Sequence, residues 1–198
     1  MVGCGAARPV MVLRLVVKSA RGQTADPMSE RHAPEVCLLV VDMQKQFVVP
    51  ATLRVLAPLR EALDGYERIV FSRLVPAEES PVVRWKGFRA MPETVSGSGL
   101  AVEAPAGAEI LITRKTGFSA LTAEAASWMR ARGVRVVHVC GMDTDLCVTR
   151  TLYDVMEAGF EPALRADLCA SAAGETMHAH GLAVARRLIG RGRVIGAA

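Results

Sequence analysis

The sequence predicts an α/β protein: a three-layer α/β/α, doubly wound sheet of about six mainly parallel strands. Two observations support this fold class. Continuous apolar runs rich in β-branched residues recur along the chain, and helical patterns lie between them. Runs of this kind are typical of strands that are buried on both faces of a parallel sheet. The chain has 198 residues, of which 51% are hydrophobic, so it can bury the core of one such domain.

Six segments are predicted to be strands. The clearest is "EVCLLVVDMQ" at residues 35–44, an unbroken apolar run that ends in an aspartate. Periodicity alone does not fix the exact ends of such runs. The other predicted strands are residues 67–73, 108–115 and 134–141, a weaker segment at 160–167 and a short edge strand at 193–196.

The helices between these strands have identifiable ends. Pro58 is predicted at the first position of "PLREALDGY", where its missing N–H is not needed. Thr122 is predicted to cap the N-terminus of "TAEAASWMRARG", and Gly133 to follow its C-terminus. The last helix is predicted to end at Gly190. The helix near Cys147 has a core-facing stripe formed by Val148, Leu152 and Val155.

Two segments interrupt the regular alternation. Residues 74–108 contain several prolines and glycines, and a long irregular insertion after a strand is often a functional lid. Residues 1–34 resemble a transit peptide in charge, and residues 9–17 resemble a signal core that Arg14 interrupts. We interpret 1–34 as a disordered extension, or as the result of a start codon assigned upstream of Met28, and 35–198 as a single domain.

Charge and cysteine content limit the possible partners and location. The net charge of +4 comes from scattered residues and aromatics make up only 5%, so we expect no nucleic-acid partner. No apolar run has transmembrane length, so we expect no membrane partner. The five cysteines include no C-x-x-C pair, which argues against disulfides and zinc, and reduced thiols predict a cytoplasmic protein.

Three chemical groups follow the ends of three predicted strands. Asp42 ends the first strand, Arg114 and Lys115 end the third, and Cys147 comes shortly after Gly141 at the end of the fourth. Ligands bind beyond the carboxyl ends of the strands in an open parallel sheet. Each residue alone has a simpler interpretation, as a turn cap, a surface lysine or a packed thiol. Their common position at one edge favours a shared site.

Cys147 is predicted in the first turn of a helix. The free amides and the helix dipole there favour a thiolate, and a nearby lysine would favour it further. A carboxylate can accept the thiol proton as the sulfur attacks, and first-turn amides can hold an oxyanion. The thiol, the carboxylate, the lysine and the first-turn amides together are sufficient for covalent acyl chemistry.

The chain resembles the isochorismatase-like cysteine hydrolases, which include nicotinamidases and N-carbamoylsarcosine amidohydrolases. The resemblance covers about residues 35–190 and is carried by "LLVVDMQKQF", "ITRKTGFSAL" and "VCGMDTDLCVTRTLYDVMEAGFEPALRADLCAS". The last segment is the most specific. The resemblance implies the isochorismatase-like, Rossmann-like fold, and a small-molecule amidohydrolase that needs no cofactor.

The resemblance also implies roles for individual residues. Asp42, Lys115 and Cys147 would form a catalytic triad that cleaves a non-peptide C–N bond through a thioester. A cis peptide at Met142–Asp143 would turn the amide of Asp143 toward the substrate, beside the amide of Cys147, as an oxyanion hole. Phe47 and Trp85 would line the substrate pocket, and the protein would form a homodimer or a higher homo-oligomer.

The chain also departs from the family's pattern. Lys45 and Gln46 replace the usual Asn-Asp pair, and no histidine lies between His32 and His138, where nicotinamidases bind a metal. We therefore expect no metal site. His178 and His180 lie two apart on a helix, do not share a face, and are predicted to be solvated.

Several alternatives remain open from the sequence. A vinyl ether hydrolase of the isochorismatase type would lack the cysteine nucleophile. A catalytically idle binding or interaction domain would not need all three groups. A redox thiol protein would need a second cysteine near Cys147, such as Cys140 or Cys169. The basic residues Arg73, Arg84, Lys86 and Arg89 suggest either a carboxylate-bearing substrate or a solvated loop.

Overall fold

The computed structural model describes residues 32–91 and 97–197, and its centre is a six-stranded parallel sheet. In chain order the strands are β1 (Val36–Val41), β2 (Arg68–Leu74), β3 (Glu109–Lys115), β4 (Val136–Met142), β5 (Glu161–Ala170) and β6 (Val194–Ile195). Their order across the sheet is β3-β2-β1-β4-β5-β6. The predicted fold class and the six predicted strands are confirmed.

Helices flank this sheet. They are α1 (Leu56–Leu63), α2 (Pro81–Arg84), α3 (Ala123–Ala131), α4 (Thr149–Glu157) and α5 (Glu175–Ile189). A π-helical turn, Thr144–Val148, leads directly into α4. No helix within residues 32–91 and 97–197 is both long and apolar enough to cross a bilayer.

The core forms where the sequence patterns place it. β1 is buried along almost its whole length, as expected for a strand near the centre of a parallel sheet. The stripe on the turn before α4 and on α4 itself is fully buried. It consists of Val148, Leu152 and Val155.

Most of the predicted helix ends are confirmed. The Thr122 side chain accepts a hydrogen bond from the amide of Ala125 at the start of α3, and Gly133 follows that helix with φ +69°. α5 ends just before Gly190. The position of Pro58 is wrong, because α1 begins at Leu56 and places the proline third. The first-turn N–H groups of a helix have no intrahelical acceptor, so the ring is still tolerated there.

The insertion between β2 and β3 is tied to the segment that follows β1. The amide of Lys45 donates to Gly99 O at 3.0 Å, that of Gln46 to Gly97 O at 3.1 Å, and that of Ala101 to Met43 O at 2.8 Å. These bonds hold the described part of the insertion over the carboxyl end of β1. The Lys45–Gln46 pair therefore anchors the insertion through its backbone.

The predicted N-terminal extension lies mostly outside the described residues. The last of its residues contact the domain, since the amide of His32 donates to Gly65 O at 2.9 Å. The assignment of residues 1–31 to a disordered segment stays a prediction.

Candidate active site

The structure brings together the acid, the lysine and the thiol that follow three strand ends. Asp42 follows β1, Lys115 ends β3, and Cys147 lies in the π-helical turn after β4. The Lys115 ammonium is 2.7 Å from Asp42 Oδ2, and Cys147 is within hydrogen-bonding reach of both side chains. Asp42 is 2% exposed, Lys115 is 4% exposed and Cys147 is 6% exposed, so all three are removed from bulk water.

Asp42 is held by two hydrogen bonds to Ser72 on β2. Ser72 Oγ donates to Asp42 Oδ1 at 2.8 Å and accepts from the Asp42 amide at 3.1 Å. Asp42 has φ +48°, a left-handed conformation that few non-glycine residues adopt. The bonds to Ser72 help to hold the backbone and the carboxylate of Asp42 in this orientation.

The loop after β3 fixes Lys115 and connects it to the cysteine. The lysine ammonium donates to Phe118 O at 2.5 Å. Thr151 Oγ1 accepts from the amide of Ala120 at 2.9 Å and donates to Cys147 O at 2.6 Å. The lysine loop and the cysteine turn are therefore joined through one buried hydroxyl.

Two glycines allow close packing around the cysteine turn. A Cβ on Gly141 would lie 2.2 Å from Val41 O, so β4 can approach the end of β1 closely only with glycine there. A Cβ on Gly181 would lie 2.7 Å from the amide nitrogen of Asp145. α5 therefore packs directly against the turn that carries Cys147.

The protonation state of Cys147 differs from the sequence expectation. Burial, and then the adjacent Asp42 carboxylate, raise the pKa of the Cys147 thiol to about 12, although Lys115 opposes this shift. Desolvation thus outweighs the helix dipole and the lysine, which were expected to favour a thiolate. The thiol needs a base to become a nucleophile.

Asp42 is the base within reach. Burial raises the pKa of its carboxyl, while the Lys115 ammonium and the hydrogen bonds to Lys115, Ser72 and Cys147 oppose the shift. A carboxylate with a raised pKa is a stronger proton acceptor than one in water. The pair of charges next to the thiol thus supplies both a base and a compensating cation.

The turn before Cys147 presents free backbone N–H groups. The Met142–Asp143 peptide bond is cis. The carbonyl of Asp143 accepts from the amides of Leu146 and Val148 at 3.1 and 3.0 Å, whereas the Asp143 amide donates to no group within residues 32–91 and 97–197. An unpaired N–H beside a nucleophile can bind an oxyanion.

A buried histidine supports this turn from α5. His178 Nδ1 is 2.8 Å from the hydroxyl of Thr144, and the side chain is only 5% exposed. The predicted solvation of His178 is therefore wrong, because Gly181 brings α5 against the turn. His180 is exposed, as expected.

A small cavity of about 20 Å³ opens onto the thiol. Phe47 lines it as the resemblance implies. Trp85 is not part of this lining, and the residue is 78% exposed. The insertion contributes Phe88 instead. The full lining is Asp42, Phe47, Leu74, Phe88, Met142, Asp143, Leu146 and Cys147.

The described residues do not fit the metal site of nicotinamidases. Residues 32–91 and 97–197 contain no group of three or more His, Cys, Asp or Glu side chains that could hold an ion. The segment after β2, "VPAEES", provides no imidazole.

Sequence reasoning missed two residues of this site, Ser72 and Gln44. Ser72 is a single hydroxyl residue in the apolar run of β2, and this interruption of the apolar pattern could have indicated a buried polar role. Gln44 is fully buried; its amide nitrogen donates to Ser98 O at 2.8 Å, and its oxygen accepts from the amide of Leu74 at 2.7 Å. It joins the ends of β1 and β2 to the insertion.

The fold and this site define a doubly wound α/β protein with a carboxylate, an ammonium and a thiol at the carboxyl edge of its sheet. A family model described as the isochorismatase domain matches residues 36–195. The chain belongs to the isochorismatase family of hydrolases. A search of curated proteins found no match.

Solved structures of several hydrolases are similar to this chain. The pyrazinamidase of Pyrococcus horikoshii in complex with zinc is 26% identical, with a TM-score of 0.65 and coverage of 78% of this chain and 97% of that one. N-carbamoylsarcosine amidase from Thermoplasma acidophilum is 21% identical, with a TM-score of 0.67 and coverage of 78% and 92%. An isochorismatase-like hydrolase from Alkaliphilus metalliredigens is 20% identical, with a TM-score of 0.68 and coverage of 77% and 91%.

Proposed function

We propose that the protein is a cysteine-dependent amidohydrolase that cleaves the C–N bond of a small, non-peptide amide through a thioester. The observation that carries this proposal is the contact of Asp42 with both Lys115 and Cys147 at the edge of one cavity. Family membership supports a hydrolase, and the amidases among the similar structures support an amide bond as its target.

The first half-reaction forms the acyl-enzyme. Asp42 accepts the thiol proton as the sulfur of Cys147 bonds to the carbonyl carbon, so a free thiolate never accumulates. The carbonyl oxygen becomes an oxyanion, which the amides of Asp143 and Cys147 stabilise. Asp42 then passes its proton to the nitrogen, the C–N bond breaks, and ammonia or an amine leaves.

The second half-reaction releases the acid. Asp42 removes a proton from a water molecule as its oxygen attacks the thioester carbon. The carbon–sulfur bond breaks and the sulfur takes the proton from Asp42, which restores the neutral thiol. Lys115 keeps a positive charge beside the carboxylate through both steps and limits the cost of its burial.

Ammonia release from a panel of small amides, carbamoyl compounds and ureido acids tests this function. We expect turnover of at least one class, and loss of turnover in Cys147→Ala without loss of the folded state. Cys37→Ala is the matched control, because Cys37 is also a buried thiol but lies toward the start of β1, away from Asp42.

Two outcomes would contradict the proposal. Parental turnover by Cys147→Ala would exclude covalent catalysis. Absence of ammonia release across the panel, with measurable binding of an amide, would favour a catalytically idle binding domain. The expected homodimer or higher homo-oligomer is a further proposal, and light scattering after size-exclusion chromatography measures the number of subunits.

A further inference from the structure

Asp143 is one of the residues that line the same cavity as the thiol. Its Oδ1 accepts a hydrogen bond from the amide of Ala172 at 2.6 Å. Its Oδ2 has no hydrogen-bond partner within residues 32–91 and 97–197. One carboxylate oxygen is thus fixed by the backbone, while the other makes no hydrogen bond to the described residues that would compete with a ligand.

Among residues 32–91 and 97–197, the lining of the cavity includes no cation to balance this carboxylate. Besides Asp42, Asp143 and the thiol, its lining consists of apolar side chains. The nearby ammonium of Lys115 is already 2.7 Å from Asp42 and bonds to Phe118 O. The apolar lining is Phe47, Leu74, Phe88, Met142 and Leu146.

The basic residues of the insertion do not supply that cation. Arg73 donates to Ser98 O at 3.1 Å, and it does not line the cavity. Arg84, Lys86 and Arg89 are exposed. The suggestion of a carboxylate-bearing substrate, drawn from these four residues in the sequence, therefore gains no support from the positions of their side chains.

We propose that Asp143 is a specificity-determining residue that selects amides whose acyl group is uncharged or cationic and rejects anionic ones. This inference rests on the proposed amidohydrolase function. An acyl group with an N–H or ammonium donor can bond to the available Oδ2. An acyl carboxylate would meet Asp143 in an apolar, poorly hydrated cavity, where repulsion between like charges is much stronger than in water.

Three amides of nearly equal shape test this selection. β-Alaninamide carries an ammonium where butyramide carries a methyl group, and succinamate carries a carboxylate there. Ammonia release is measured at about pH 8, where an aspartate carboxyl with a raised pKa is still ionised. We expect kcat/KM for butyramide to exceed kcat/KM for succinamate by at least about tenfold. We expect kcat/KM for β-alaninamide to be equal to or higher than the value for butyramide.

The variant Asp143→Asn identifies the residue responsible. Asparagine keeps an oxygen that can accept from the Ala172 amide but has no charge. We expect the ratio of kcat/KM for butyramide to kcat/KM for succinamate to fall toward one. A general loss of activity cancels in this ratio, because it lowers both values equally. Asp154→Asn is the matched control, since it removes an equal charge from a residue of α4 that pairs with Arg150 and does not line the cavity, and it should leave the ratio unchanged.

A binding measurement keeps this inference separate from the proposed function. NMR titration of the three amides into Cys147→Ala, with and without Asp143→Asn, reports affinity without turnover. Weaker binding of succinamate that Asp143→Asn relieves supports the inference, even if the natural protein releases no ammonia and the proposed function fails. Equal affinity for all three amides, preference for succinamate, or no binding of any of them overturns it.

Discussion

Ser72 makes two buried hydrogen bonds to Asp42, one to its amide and one to its carboxylate. The hydroxyl therefore orients the proposed base and stabilises its ionised form. Ser72 does not line the cavity, so it acts through Asp42 and is a positioning residue.

Replacing Ser72 tests this positioning. We expect Ser72→Ala to lower kcat/KM by about 10- to 100-fold and to move the acidic limb of its pH profile to higher pH, because a bond to the charged carboxylate is lost. Ser72→Thr keeps the hydroxyl and should retain the parental limb. An Ala variant with the parental pH profile would show that the bond is not needed.

The resting thiol of Cys147 should react slowly with alkylating agents. Its pKa of about 12 leaves only a small thiolate fraction at neutral pH. We expect iodoacetamide labelling of Cys147, followed by peptide mass spectrometry, to accelerate continuously from about pH 6 to pH 10. A plateau near neutral pH would instead show a preformed thiolate, as the sequence alone suggested.

Gly181 should be intolerant of a side chain. Alanine would place a Cβ 2.7 Å from the backbone of the cysteine turn, and overpacking of this kind costs about 1–3 kcal/mol of unfolding free energy. We expect Gly181→Ala to lower both stability in urea and turnover. Gly192→Ala is the control, since a Cβ there meets nothing within 4 Å. Equal stability of the two variants would contradict this packing.

His138 should make stability depend on acid. Arg165 donates to the Tyr66 hydroxyl at 3.0 Å, and that hydroxyl is 2.8 Å from His138 Nδ1. Burial, and then His32 and Arg165, lower the pKa of His138 to about 4. Arg165 also pairs with Asp167 at 2.7 Å.

The sign follows from this lowered pKa. The unfolded chain binds a proton at His138 below about pH 6.5, and the folded chain does so only near pH 4. The stabilisation is thus present above pH 6.5 and lost as pH falls. We expect His138→Asn to flatten this part of the curve of unfolding free energy against pH, and His180→Asn, on the exposed face of α5, to leave it unchanged. An equal slope in His138→Asn would exclude the histidine as the cause.

The sequence predicted the sheet because apolar runs alternate with helical patterns along the chain. It predicted that the three reactive groups lie close together because each follows the end of a strand. The run at 35–44 is typical of a buried strand, and parallel strands bring their carboxyl ends to one edge. The same rule predicts that Asp42, Lys115 and Cys147 lie together.

The protonation of the thiol and the lining of the cavity could not be predicted in this way. The pKa of Cys147 depends on burial, which outweighs the helix dipole and is not visible in local sequence. The choice between Trp85 and Phe88 depends on the path of an irregular insertion without periodic pattern. His178 is buried because Gly181, three residues along α5, permits close approach of two backbones.

Gln44 joins the end of β1, which Asp42 follows, and the end of β2, which carries Ser72, to the insertion at Ser98. Substrate range and reaction chemistry are therefore separable properties of this scaffold. We expect that the crossover between β2 and β3 can be exchanged for a different one, provided that the new segment again offers a carbonyl to that glutamine. Grafts that omit this acceptor should yield well-folded proteins with a misaligned base.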